Sequence, residues 1–136
     1  MTPAPVVAVG AVAVRGDSVL LVRRGRGPAA GAWSVPGGRV EPGEALHEAV
    51  VRETYEETAL EVVVERFLGW AERIDAEHHF VILDFAVTLL DSEAQPTAGD
   101  DAQEAAWVPL HELASLRLVE GLAEFLHDHG LIDTIL

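Results

Sequence analysis

Glu53, Glu56 and Glu57 place three carboxylates within five consecutive positions. At about 100° per residue on a helix they share one arc with Ala45, Leu46, Ala49 and Val50. An apolar stripe that packs a helix onto a sheet therefore turns acidic in its last turns. Charges in that position are costly unless they are paired or bound to a metal. Like charges three and four residues apart also repel, and the C-terminal end of a helix dipole disfavours anions. Arg52 is the only cation within the helix, and its wheel position reaches one of the three. A hard divalent cation with oxygen ligands would neutralise the rest. Mg²⁺ suits that ligand set, with Mn²⁺ as a substitute. The alternative for three Glu residues alone is a solvated acidic helix end.

The helix that carries them is expected over Glu44 to Thr58, a stretch without internal Gly or Pro and rich in Glu, Ala, Leu and Val. Val6 to Val14 reads as a buried strand, Arg15-Gly16-Asp17 as a tight turn, and Ser18 to Arg24 as the second strand of a hairpin. Residues 25–32 form a Gly-rich loop, Trp33 to Pro36 is short and extended, and Pro36-Gly37-Gly38 is a break. Leu60 to Trp70 and His78 to Leu90 read as long strands, the second apolar enough to be central. Ala105 to Pro109 is a last strand. Leu110 to His129 holds one or two helices, with Gly130 as a stop. Strands surrounding helices, without an internal repeat or linker, give one α/β domain over residues 1–136 with a mixed sheet covered on both faces.

Composition narrows the partners. The formal net charge is −14 and all nine basic residues are Arg. Such a chain repels nucleic acid and anionic membranes. There is no cysteine, which excludes disulfides and thiolate metal sites. The apolar run Val6 to Val14 is too short to span a membrane, and no basic residue precedes it as in a signal peptide. The expected location is the cytoplasm.

The segment from Gly38 to Leu60 is more specific than any of these. It reads Gly, five residues, Glu44, seven residues, Arg52-Glu53, two residues, Glu56-Glu57, two residues, Leu60. This resembles the signature of the Nudix hydrolases over 23 of the 136 residues. The preceding Trp33-Ser34-Val35-Pro36-Gly37-Gly38 and the order of the strands extend the resemblance over most of the chain. Two positions depart from the family pattern: Thr54 replaces an aliphatic residue and Ala59 replaces a Gly. Thr54 is expected near the edge of the packed face. The family Gly ends the helix in a left-handed conformation that costs Ala about 1 kcal/mol or more, so a different helix termination is expected here.

The resemblance implies an α/β/α sandwich and attack of water on phosphorus within a diphosphate bond. It implies Glu53, Glu56 and Glu57 as metal ligands, joined by the backbone carbonyl of Gly38. Glu53 or Glu56 is the general base, Arg52 orients a neighbouring Glu, and Glu44 either helps orient the site or favours the helix N-terminus. Asp101, ahead of Trp107, is the first choice for a further loop acid, before Asp100 and Glu104. Four Arg residues fall between positions 23 and 39. One or two of them are expected to hold phosphate, Arg23 as the first choice with Arg24 and Arg39 as further candidates, the alternative for the rest being a surface role. His78 and His79 are adjacent on a strand and point to opposite faces, so they do not ligate a metal jointly. Trp33, Trp70 and Phe80 either stack on a base or pack the core.

The substrate is less legible. Ala76 stands in the region where an ADP-ribose group carries Pro, and Glu77, His78 and His79 where a dinucleoside-polyphosphate group carries Tyr. The general pattern resembles short bacterial members that act on ADP-ribose or related nucleoside diphosphate sugars, which yield a nucleoside monophosphate and a sugar phosphate. Two alternatives are a pyrophosphohydrolase of ordinary or oxidised (d)NTPs and a nucleotide-sensing module without catalysis. The resemblance is also compatible with a homodimer, and no residue marks an interface.

Overall fold

The computed structural model describes residues 3–27, 29–99 and 101–131. Seven strands form one mixed sheet in the order β3-β2-β1-β6-β5, with β4 paired to β1 and β7 paired to β2. They are β1 (Val6–Arg15), β2 (Ser18–Arg24), β3 (Trp33–Ser34), β4 (Gly37–Arg39), β5 (Val62–Ile74), β6 (His79–Leu89) and β7 (Ala102–Pro109). Helix α1 (Leu46–Thr58) lies between β4 and β5, and α2 (Leu122–Asp128) follows a 3₁₀ segment at Leu110–Ser115.

β1 explains the architecture. Its central six residues are all buried, which requires cover on both sides. Val9, Ala11 and Ala13 pack with Ala49 and Val50 of α1, together with Phe85 and Val87 of β6. Val12 faces the other way and packs with Leu122 and Leu126 of α2 and with Leu113. Burying a side chain such as Val50 or Leu126 contributes about 2 kcal/mol, so these two layers hold the helices to the sheet. β6 runs parallel to β1 from Val6↔Phe80 to Ala13↔Val87 and is interior, as its apolar sequence predicts. The β1–β2 hairpin closes at Arg15↔Ser18. β5 extends four residues beyond the expected Trp70 to Ile74, antiparallel to β6 and with two bulges. β7 begins earlier than expected, at Ala102. Among the described residues, no helix is long and apolar enough to cross a membrane.

Helix α1 differs from the sequence reading at both ends and along its packed face. It begins at Leu46, and Glu48 accepts a hydrogen bond from the Ala45 N–H at 2.9 Å. Glu44 is left outside, free to turn its side chain elsewhere. Thr54 is fully buried, not marginal. Its hydroxyl donates to the Val50 carbonyl at 2.7 Å, and Thr58 repeats the motif on Thr54 at 2.6 Å. These bonds let a polar residue replace an aliphatic one inside the core.

The expected change of helix termination does not occur. Ala59 adopts φ 62°, ψ 17°, the left-handed cap that Gly usually supplies, and its N–H bonds the Tyr55 carbonyl. Ala59 is the only described residue other than Gly with positive φ. Ala59→Gly should therefore stabilise the chain by about 1 kcal/mol. That corresponds to a rise in melting temperature of about 3 °C. An unchanged or lower melting temperature would show that the surroundings already offset the strain.

Candidate active site

Arg52 is the hub of the site. Its Nε and Nη2 donate to the two oxygens of Glu44 at 2.7 and 2.9 Å, a bidentate pair. Its Nη1 donates to Glu53 at 2.9 Å and to Glu56 at 3.2 Å, and stands 3.7 Å from Glu41. Nη2 also donates to the Arg39 carbonyl at 3.0 Å. One guanidinium thus meets four carboxylates, where the helical wheel gives it one. The wheel fails because Glu41 and Glu44 precede the helix and fold back over Arg52. This geometry settles Glu44 as a partner of Arg52 rather than a mere neighbour of the helix N-terminus. Arg52 holds the Glu44 carboxyl down at about 2. The same bonds raise the Arg52 pKa further, so it stays charged.

The remaining carboxylates are less well served. Burial raises the Glu53 pKa, and Arg52 opposes the rise. Glu57 does not reach Arg52. Burial pushes its carboxyl up to about 7, opposed by the hydrogen bond it accepts from the Gly37 N–H at 3.1 Å and by the nearby charge of Arg24. The cost of like charges inferred from sequence is therefore uneven, with burial weighing most on Glu57 and Glu53. Glu56, with 48 % of its side chain exposed, faces solvent.

β4 brings the Gly-rich loop against this helix. Gly38 pairs with Val9, on the face toward α1. A Cβ on Gly38 would stand 2.5–2.6 Å from the Glu53 carboxylate, so only Gly permits the approach. The next contact is one the sequence does not disclose. The Gly99 and Thr97 amides donate to the Glu57 and Thr58 carbonyls at 2.9 and 2.8 Å. The loop after β6 thereby satisfies carbonyls that the helix end leaves unpaired. A side chain on Gly99 would collide with the Glu56 carbonyl.

The outer candidates divide. Arg23 is drawn aside: it donates to Glu104 at 3.2 Å and to the Gly31 carbonyl at 3.3 Å. Arg24, exposed on the same strand, is the residue whose charge reaches Glu57. Arg39 lies exposed at the end of β4, 5.4 Å over the ring of Phe80. Arg26 pairs with Asp101 at 2.9 Å, which holds that acid beside Arg26, although its charge is felt at Glu57. Asp100 lies outside the described residues. Among the described residues, no three acidic or histidine side chains stand together closely enough to hold a metal ion as they are. His78 stacks on Phe80 and His79 pairs with Glu72, on opposite faces as expected. Trp33 packs against the α2-side core, whereas Trp70 is 62 % exposed on edge strand β5 and is not a core residue.

An acidic helix behind a Gly-rich strand, docked on a mixed sheet between helical layers, is an α/β arrangement shared with solved structures. A MutT NUDIX hydrolase from Burkholderia pseudomallei superposes with a TM-score of 0.80 at 28% identity, covering 94% of this chain and 99% of that one. The NUDIX domain matches residues 4–129, and the chain belongs to that family. An ADP-ribose pyrophosphatase from Methanocaldococcus jannaschii is 38% identical over 114 residues, covering 82% of this chain and 66% of that protein. The 8-oxo-dGDP phosphatase of Homo sapiens is 34% identical over 125 residues, covering 80% of this chain and 36% of that protein. The chain thus spans just under two thirds of the first relative and about a third of the second.

Proposed function

We propose that this chain hydrolyses a diphosphate bond in a nucleoside diphosphate linked to a sugar, with ADP-ribose as the preferred substrate. The observation that carries the reading is the excess of carboxylate over cation around Arg52. Among them Glu53, and beside them Glu57, are carboxyls whose pKa burial raises. Such a set is paired for its charge only when a cation joins it. Glu53, Glu56 and Glu57, with the Gly38 carbonyl, would hold Mg²⁺ or Mn²⁺. When bound, the ion supplies Lewis-acid polarisation of the phosphate oxygens and acidifies a water molecule.

The protein groups do the rest. In this reading Glu56, the most exposed of the three, accepts the proton of the attacking water, since Glu53 and Glu57 are more enclosed. Arg52 keeps Glu53 and Glu56 on one side of the helix and is itself fixed by the fork to Glu44. Among the described residues Arg24 makes no ion pair and Arg39 only its contact with Phe80, and in this reading these two bind phosphate in place of Arg23. Similarity to an ADP-ribose pyrophosphatase over most of the chain supports the substrate.

The similarity to an 8-oxo-dGDP phosphatase favours a second reading, hydrolysis of an ordinary or oxidised nucleotide. Product analysis separates the two. ADP-ribose, other nucleoside diphosphate sugars and ordinary and oxidised dNTPs are incubated with Mg²⁺, Mn²⁺ or EDTA. Metal-dependent release of AMP and ribose 5-phosphate from ADP-ribose supports the first reading. Cleavage of a dNTP alone, with release of pyrophosphate, supports the second. Metal-dependent binding without turnover on the whole panel would overturn both in favour of a sensing module.

A further inference from the structure

The side of the sheet that carries α1 has an apolar end. Phe67 pairs with Phe85, Trp70 with Leu83 and Ile74 with His79. Paired residues point to the same side, so all three β5 residues stand where Phe85 meets Ala49 and Val50 of α1. They are 51%, 62% and 60% exposed. Together they show on the order of 400 Å² to water, as much as the largest apolar patch of a typical monomer. β5 is the last strand of the sheet, and among the described residues no strand lies beyond it.

A hole adjoins this patch. A groove of about 630 Å³ opens between the start of α1 and strands β5 and β6, lined by Ala45, Leu46, His47, Phe67, Leu83 and Phe85. His47 and Phe67 each stand edge-on to Phe85, with ring centroids at 5.4 Å. A further ring entering the groove would meet ring edges and faces, the contacts that aromatic pairs favour. Trp70 stands at the rim, because its cross-strand neighbour Leu83 is part of the lining.

Charge identifies the occupant. The chain carries 23 acids against nine Arg, so most of its surface repels a second copy. Among the residues paired between β5 and β6, the one carboxylate on this side is Glu72, and His79 holds it at 3.0 Å. Here two copies can approach without like charges meeting.

We propose that this face is the interface of a homodimer, with each Trp70 seated in the groove of the other copy. A two-fold contact needs a patch that complements itself, and a knob beside a hole does so when the axis runs between them. A standard interface buries about 800 Å² on each partner, so the three exposed residues supply about half, inside a polar rim that includes Glu72 and His79.

The test is the oligomeric state of the full chain. Sedimentation of wild type at about 100 µM, which fills any dimer of micromolar affinity or better, should give twice the mass of one chain. Trp70→Glu puts a charge where the indole enters and should raise the dissociation constant about a hundredfold or more. Val14→Glu adds the same charge at another exposed Val, beside the β1–β2 turn, and should leave the dimer intact. A monomeric wild type overturns the proposal, and so does equal weakening, or none, in the two variants. Hydroxyl-radical labelling of wild type, read by mass spectrometry, needs no variant. In the dimer Trp70 should be oxidised no more than half-buried Trp33 and Trp107. Oxidation of Trp70 well above both overturns the interface.

Discussion

Glu57→Gln is expected to abolish most metal-dependent turnover and, in EDTA at pH 8, to raise the melting temperature above that of wild type. Turnover falls because the change removes one ligand charge at nearly constant shape. Stability rises because Glu57 is an enclosed carboxylate that makes no ion pair among the described residues, with only the nearby charge of Arg24 to offset its burial. Burial lifts its folded pKa from 4.5 to about 7. Between those values the folded chain keeps a proton that the unfolded chain has released. The contribution of this group is therefore fully present below pH 4.5 and is lost as pH rises through about 7. Asp84, raised to about 6, and Glu53, raised by burial, act with the same sign. Glu44, held at about 2, is ionised in both states across this window and adds no slope. Chelated wild type should thus melt progressively lower from pH 5 to pH 8, with a shallower fall in Glu57→Gln. The loss assigned to Glu57 is on the order of 2 kcal/mol, or about 6 °C. Adding Mg²⁺ should reverse it in wild type only. Parallel pH profiles for the two chelated proteins would locate the strain elsewhere.

Arg52→Met should have the opposite effect and the largest cost to the fold. It leaves Glu44 and Glu53, with side chains only 13% and 15% exposed, without their shared cation. Losing the shared cation leaves these carboxylates uncompensated, a drop in stability that a denaturant titration resolves. Arg52→Lys should recover less than half, since an ammonium cannot make the fork to Glu44 while reaching Glu53 and Glu56. The double variant Arg52→Met, Glu44→Gln should be more stable than Arg52→Met alone, because it removes an orphaned charge. Equal stability of wild type and Arg52→Met would mean that the hub is a surface arrangement without energetic weight.

Much of this arrangement is legible in sequence because it is local. The carboxylates at 53, 56 and 57 and the Gly-rich loop lie within one run of chain, and their spacing alone predicts a helix and a charge problem. The Val-rich run before the Arg15-Gly16-Asp17 turn likewise places the β1–β2 hairpin, and the apolar run from 78 to 90 the central β6. What stays hidden depends on chain segments that meet only in the fold. The four-way pairing of Arg52 arises because Glu41 and Glu44 turn back over the helix, which a wheel cannot show. The burial of Thr54 is legible only once its hydroxyl is seen to bond within its own helix. The preference of Arg23 for Glu104 requires β2 to pair with β7. The Ala59 cap shows a further limit: propensity sets a cost of about 1 kcal/mol, and tertiary contacts decide whether it is borne.

The closure of α1 by Thr97 and Gly99 bears on the order in which the molecule assembles. Every acid of the helix cluster has been added to the chain once residue 57 is made. The amides that finish the helix come some 40 residues later, beyond β5 and β6. Contacts this distant in sequence form late, because the intervening loop must be closed first. A chain halted before residue 97 carries the complete acidic motif on a helix with an open end. Competence at the cluster is thus gated by synthesis of the second half of the chain, and the Gly99 amide is the proton whose slow exchange would report that the gate has closed.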